Sequence, residues 1–146
     1  MTLHPIHLVA LTLILVTACG GGTDSAATPP TPAAFSQIDL TTGTGTQAGK
    51  GARVSVNYTG WIYDASRPDS KGTQFDTSHG RGPFMFTIGV GEVIAGWDQG
   101  FDGMRVGGTR RLIIPPDLGY GAEGTPGGPI PPHAGLVFEM ELLDVK

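Results

Sequence analysis

Apolar and polar residues alternate along most of the chain after residue 35, and the alternation marks out strands. Phe35-Ser36-Gln37-Ile38-Asp39-Leu40 has the period of two expected of a half-buried strand. Arg53 to Thr59 repeats it, with Val54, Val56 and Tyr58 on one face, and Trp61-Ile62-Tyr63 continues the strand. Asp64 to Thr73 is polar, contains Pro68 and Gly72, and reads as a long exposed loop. Gln74 to Asp76 and Phe84 to Ile88 read as strands on either side of a second loop, Thr77 to Pro83. Thr109 to Ile114 places Leu112 and Ile114 on one face. Leu136 to Val145 is the cleanest case, with Leu136, Phe138, Met140 and Leu142 inward and Glu139 and Glu141 outward. Between the last two strands, Pro115 to Ala134 forms a long loop rich in Gly and Pro, a kind of segment that is usually functional or disordered.

One stretch breaks the period of two. Ile94, Trp97, Phe101 and Met104 are spaced by three, four and three, which places them on one face of a short helix. Gly91 before it and Gly103, Gly107 and Gly108 after it hold the helix to a few turns. So short a helix needs packing against a sheet in order to exist. The sum is an α+β domain, an antiparallel β-sheet curved around one short α-helix. Trp97 then either fills space in the core or forms the floor of an apolar pocket.

The amino terminus has a different pattern. Leu8 to Ala18 is an uncharged apolar run, shorter than the roughly 20 residues a bilayer span needs and matching the core of a secretory signal. Val16-Thr17-Ala18-Cys19 resembles a bacterial lipobox, which implies cleavage before Cys19 and a lipid on its thiol. The segment before Leu8 departs from the usual signal in having His4 and His7 but no Lys or Arg. The alternative is an ordinary signal cleaved at Ala18. Gly20 to Ala34 is rich in Gly, Pro, Thr and Ala and reads as a tether reaching about 20 Å. The expected organisation is a lipoprotein signal in residues 1–18, a lipidated Cys19 and linker in 19–34, and a folded domain in 35–146. The protein is expected on the periplasmic side of a membrane, and on the outer membrane in a Gram-negative cell because Gly20 follows Cys19. A secreted or periplasmic soluble form is the alternative.

Composition narrows the chemistry. The formal charge of −4 and the scattered basic residues do not make a nucleic-acid surface. A single cysteine excludes an intramolecular disulfide. No serine sits in a Gly-x-Ser-x-Gly setting, and His79 and His133 lack zinc-like spacing, so neither nucleophilic chemistry nor a metal is expected. No cofactor is expected either. Gly43-Thr44-Gly45 lacks the lysine of a phosphate-binding loop. Aromatic residues near turns are the distinctive feature: Tyr58, Phe75, Phe84, Trp97, Tyr120 and Phe138 suit an apolar pocket with a few polar groups.

Several motifs together carry a resemblance. Val56-Asn57-Tyr58-Thr59-Gly60, Phe75-Asp76-Thr77-Ser78, Pro83-Phe84-Met85-Phe86, Gly91 to Trp97, Leu118-Gly119-Tyr120-Gly121 and Ile130-Pro131-Pro132-His133-Ala134 occur in order, followed by Leu136-Val137-Phe138-Glu139. This series resembles the FKBP-type peptidyl-prolyl cis-trans isomerases, here in a bacterial lipoprotein form, and covers Phe35 to Lys146. The resemblance implies a pocket between sheet and helix. Trp97 would be its floor, Tyr58, Phe84 and Phe138 its walls, and Val93 and Ile94 would stand at the helix entry. Phe75 would pack on the substrate proline, and Tyr58 would hold the Asp76 carboxylate. The Ile94 N–H and Tyr120 hydroxyl would bind substrate carbonyls, with Ile130 on the rim and Arg81 at the pocket edge. The partners implied are proline-containing segments of exported proteins and a macrolide ligand, bound by a monomer. The alternative is a non-catalytic, membrane-tethered chaperone or peptide-binding module using the same pocket.

Overall fold

The computed structural model describes residues 34–146. The signal, the lipobox with Cys19 and most of the linker lie outside the described residues. Six strands form one antiparallel sheet: β1 (Ser36–Thr41), β2 (Arg53–Tyr63), β3 (Lys71–Thr77), β4 (Phe84–Thr87), β5 (Thr109–Ile114) and β6 (Leu136–Val145). The helix α1 (Ala95–Gly100) lies against it. The strand order is β1-β5-β6-β2-β3, and β4 also pairs with β2. β2 can serve two partners on one edge because it is long. Its first half (Arg53 to Val56) pairs with β4 and its second half (Thr59 to Tyr63) with β3. β6 runs along its other edge, from Val54↔Val145 to Ile62↔Leu136.

The core forms where the inward residues of these strands meet the helix. Val54, Val56, Phe86, Leu112, Ile114, Leu136, Met140 and Leu142 are buried together with Phe101 and Met104. The helix comes close to β5 because it presents glycines there. A Cβ on Gly96 would lie 2.6 Å from Ile114, and one on Gly100 would lie 2.3 Å from Leu112.

Four features differ from the pattern in the sequence. The helix covers six residues, so Met104 is buried in the turn that follows it. β1 keeps its period of two but not its expected burial: Ile38 and Leu40 are 48% and 42% exposed. The residue of β1 that turns toward the helix is Asp39, which meets Arg110 of β5 at 2.6 Å. The buried Arg110 continues to the carbonyl oxygens of Gly100 (2.7 Å) and Asp102 (3.2 Å), so a polar tie occupies that end of the core. Third, β3 starts at Lys71, three residues before the expected strand. Its early residues are polar because they lie at a sheet edge, where Lys71 sits over the Trp61 ring at 4.5 Å and pairs with Glu139 at 2.6 Å. Arg111 joins Glu139 (2.8 Å) to Asp69 (2.9 Å), which ties the 64–70 loop to the outer face. Fourth, Val137 is fully buried on the face opposite Phe138, so β6 is covered on both sides at that point.

Candidate active site

A cavity of about 190 Å³ opens between the helix, β2, β3, β4 and the 115–134 loop. Its floor is Trp97, 5% exposed, which α1 projects from its first turn. Tyr58 from β2 meets the indole edge-on with ring centroids 5.0 Å apart, and Phe138 from β6 does so at 5.2 Å. Phe75 from β3 stands at 89° to Phe138, 5.5 Å away. Phe84 from β4 closes another side, 6.0 Å from Trp97. Edge-to-face contacts of this kind suit the ring quadrupoles and fix the rings against one another. The rings can approach this closely because Gly60 lies behind them: a Cβ there would be 2.6 Å from Phe138 and 2.7 Å from Phe75. The buried indole Nε1–H has no hydrogen-bond partner among the described residues.

The polar groups are few and aligned. The Tyr58 hydroxyl donates to Asp76 Oδ2 at 2.6 Å, and the Thr77 N–H donates to Oδ1 at 2.8 Å. The Arg81 guanidinium donates to the same Oδ1 and to the Thr77 carbonyl. Tyr58 is itself held by Ser78. The Tyr58 N–H donates to the buried Ser78 Oγ (2.9 Å), and the Ser78 N–H donates to the Tyr58 carbonyl (2.9 Å). Burial, then the hydrogen bond to Asp76, push the Tyr58 hydroxyl up to about 12. Burial, and secondarily the Asp76 charge, also raise the pKa of Tyr120. Both phenols are therefore hydrogen-bond donors at neutral pH. The Tyr120 ring lines the mouth and is 40% exposed. Val93 and Ile94 line the cavity where the chain enters the helix, and the Ile94 N–H donates no hydrogen bond among the described residues.

Nine of the eleven pocket residues read from the sequence thus line one cavity: Tyr58, Phe75, Asp76, Phe84, Val93, Ile94, Trp97, Tyr120 and Phe138. Two do not. Ile130 is 4% exposed and belongs to the core, not the rim. Thr125 holds it at both ends, accepting from the Ile130 N–H at 3.0 Å and donating its own N–H to the Ile130 carbonyl at 2.9 Å, so the isoleucine plugs the underside of the loop. Arg81 lies outside the cavity, on the far side of Asp76. Two residues outside that set also contribute. Glu92, whose carboxylate reads in the sequence as a structural hydrogen-bonding group, lines the mouth and accepts from the Thr87 N–H. Ser78, the last residue of the Phe75-to-Ser78 motif, contributes by bracing Tyr58. Among the described residues, no group of three His, Cys, Asp or Glu side chains could hold a metal.

Known proteins resemble this chain in sequence and fold. Residues 44–143 match the sequence profile of the FKBP-type peptidyl-prolyl cis-trans isomerases. The chain is 53% identical over 108 residues to the FK506-binding protein of Neisseria meningitidis serogroup B, covering 73% of this chain and 92% of that one. It is 48% identical over 106 residues to FK506-binding protein 1 of Gibberella zeae, covering 73% and 93%. Among solved structures it resembles AtFKBP13, with a TM-score of 0.65 and 37% identity over 81% of this chain and 98% of that one. It also resembles FkpA from Escherichia coli, with a TM-score of 0.65 and 39% identity over 77% and 48%. Fold and sequence lead to one conclusion: the chain belongs to the FKBP-type peptidyl-prolyl cis-trans isomerase family.

Proposed function

We propose that the domain speeds rotation about Xaa-Pro bonds in exported proteins by binding the twisted amide more tightly than the planar one. The observation that carries this reading is the composition of the cavity, an aromatic box with few polar groups. The reaction breaks no bond. Resonance gives a peptide bond a rotational barrier of about 18–20 kcal/mol, and exchange before proline takes tens to hundreds of seconds. Each tenfold gain in rate takes about 1.4 kcal/mol of preference for the twisted state. Twisting removes resonance and charge separation from the amide. A water-poor aromatic site therefore disfavours the planar form relative to the twisted one.

The roles of the residues follow from their places. Phe75, Phe138 and Trp97 grip the proline ring. The Ile94 N–H, without an acceptor among the described residues, and the Tyr120 hydroxyl hold carbonyls of the flanking chain while the bond turns. Asp76 is tied up by Tyr58, Thr77 and Arg81, so it orients Tyr58 and shapes the local field and does not act as a base. Exchange measured by NMR on a proline peptide tests the scheme. Phe75→Ala and Asp76→Ala should each lower the catalysed rate at least tenfold, and full activity in both would remove the cavity from the reaction. A peptide that binds without faster exchange would favour the chaperone reading. Relatives are named for binding FK506, and we take the same cavity to accept it. FK506 should then compete with the peptide.

Export and anchoring are part of the proposal. The apolar run Leu8 to Ala18 and the lipobox ending at Cys19 support a lipid-anchored protein whose linker holds a monomeric domain off the membrane. Cys19→Ala should move the protein from the membrane fraction to the soluble one. An unchanged distribution would overturn the anchor.

A further inference from the structure

Two carboxylates line the cavity, Asp76 and Glu92, and they stand in different electrostatic settings. Asp76 is matched by the Arg81 guanidinium as well as by the Tyr58 hydroxyl and the Thr77 N–H. Glu92 accepts one hydrogen bond, from the Thr87 N–H to Oε2 at 3.0 Å, and among the described residues it forms no ion pair. Arg81 is committed to Asp76 and the Thr77 carbonyl. The Lys50 stem lies against Gly89, and it too makes no ion pair among the described residues. The mouth is therefore balanced on its Asp76 side and negative on its Glu92 side.

The negative side is held in place. The Gly89 and Gly91 N–H groups donate to the two oxygens of Asp98 on α1, at 2.8 and 3.1 Å. Both glycines have φ of +78°, a turn that other residues would adopt only under strain. The Thr87 bond then fixes the Glu92 carboxylate at the rim. A fixed, unpaired charge beside a binding cavity attracts one sign of partner and repels the other.

We propose that Glu92 selects client segments carrying Lys or Arg next to the proline and disfavours those carrying Asp or Glu there. The proposal rests on the isomerase reading above and names the substrates that site prefers. Glu92 is exposed, so the effect is modest: about two- to fivefold for attraction and a similar factor for repulsion. The expected ratio of kcat/KM between Lys and Glu peptides is about tenfold at low salt, falling toward one near 0.5 M as screening shortens to about 4 Å.

The test uses the full chain and peptides that differ only in the residue beside the proline, which is Lys, Gln or Glu. One set varies the preceding position and one the following position. Exchange is followed by NMR. The readout is the Lys-to-Glu ratio within each protein, so a general change in activity cancels. Glu92→Gln retains an acceptor for Thr87 and should bring the ratio to about twofold or less. A flat Lys, Gln, Glu series in the wild type for both sets overturns the proposal. So does an unchanged ratio in folded Glu92→Gln. If that variant does not fold, the wild-type ratio at low and high salt decides, and indifference to salt overturns the proposal. If the Gln peptide is not isomerised at all, the isomerase reading fails instead. The charge preference is then read from the affinities of the same three peptides by Trp97 fluorescence.

Discussion

Replacing Gly60 with alanine tests the packing behind the cavity, because it adds one methyl group where two rings already meet. The new Cβ would stand 2.6 Å from Phe138 Cε1, 3.0 Å from Phe138 Cδ1 and 2.7 Å from Phe75 Cζ. Carbon atoms rest comfortably at about 3.5–4.0 Å, so each ring must retreat by about 1 Å. Phe138 is blocked from behind by Trp97 at 5.2 Å, and the two phenylalanines already stand edge to face at 5.5 Å. The cavity that both rings line is the open space beside them. Gly60 has an ordinary strand conformation, so the effect is steric rather than a matter of backbone strain. Overpacking of this kind costs about 1–3 kcal/mol. For a domain of this size that lowers Tm by about 4–12 °C. A 1 Å misplacement of a binding ring can cost about 10²-fold, so kcat/KM should fall between tenfold and a hundredfold. Thermal circular dichroism and peptide exchange at 10 °C, where the variant stays folded, measure the two effects. Gly49→Ala is the control, since its Cβ meets nothing nearer than 4.0 Å. If Gly60→Ala matched the wild type within 1 °C and kept half its activity, Phe75 and Phe138 could not be the ring grip described here.

Three further outcomes follow from the polar contacts. Tyr58→Phe removes the 2.6 Å bond to Asp76 but leaves Arg81 and Thr77 in place, so kcat/KM should fall about tenfold, near 1.4 kcal/mol. The same variant should flatten the alkaline limb of stability: the folded Tyr58 titrates at about 12 against 10.0 unfolded, so wild-type stability is full below 10 and is lost as pH rises from about 10 to 12, which urea midpoints will show. At the acid end, burial raises the Glu139 pKa, but Lys71 and Arg111 outweigh it and hold the carboxyl below its ordinary 4.5. Its stabilisation is present above 4.5 and lost as pH falls through the lowered value, so Lys71→Met should raise the acid unfolding midpoint and leave the alkaline limb unchanged. Arg110→Met orphans the Gly100 and Asp102 carbonyls while Asp39, 46% exposed in its side chain, rehydrates; a loss of about 2–4 kcal/mol by denaturant titration is expected.

The elements that could be read from the sequence are those whose burial follows a single rule. β6 alternates because one face meets the helix, and Trp97 and Phe101 keep helical spacing because both pack inward. The exposure of β1 was hidden: Gln37 to Thr41 are all exposed, and the strand is tied to the core through the ion pair between Asp39 and Arg110, two residues that hydropathy counts as surface. The start of β3 was hidden for a similar reason: Lys71 is a strand residue because of Trp61 and Glu139, both distant in sequence. The aromatic walls were legible as a set through the family resemblance. Ile130 was not, because a loop isoleucine suits a rim as well as a plug until Thr125 is seen to close the turn around it. Glu92 was legible as a hydrogen-bonding carboxylate, but its place at the cavity mouth depends on the turn that brings Thr87 to it.

The glycines of α1 determine how the cavity behaves when empty. A six-residue helix with Gly at its second and last positions gives up about 1 kcal/mol at each relative to Ala and has no autonomous stability. It persists only because those glycines let it settle onto Leu112 and Ile114. The floor of the cavity therefore belongs to the same cooperative unit as the sheet. The hydrogen-bonded amides of Trp97 and Phe101 should exchange with solvent only through global unfolding, at the rate of the slowest β5 and β6 amides, so a client meets a preformed mould whose base does not open on its own.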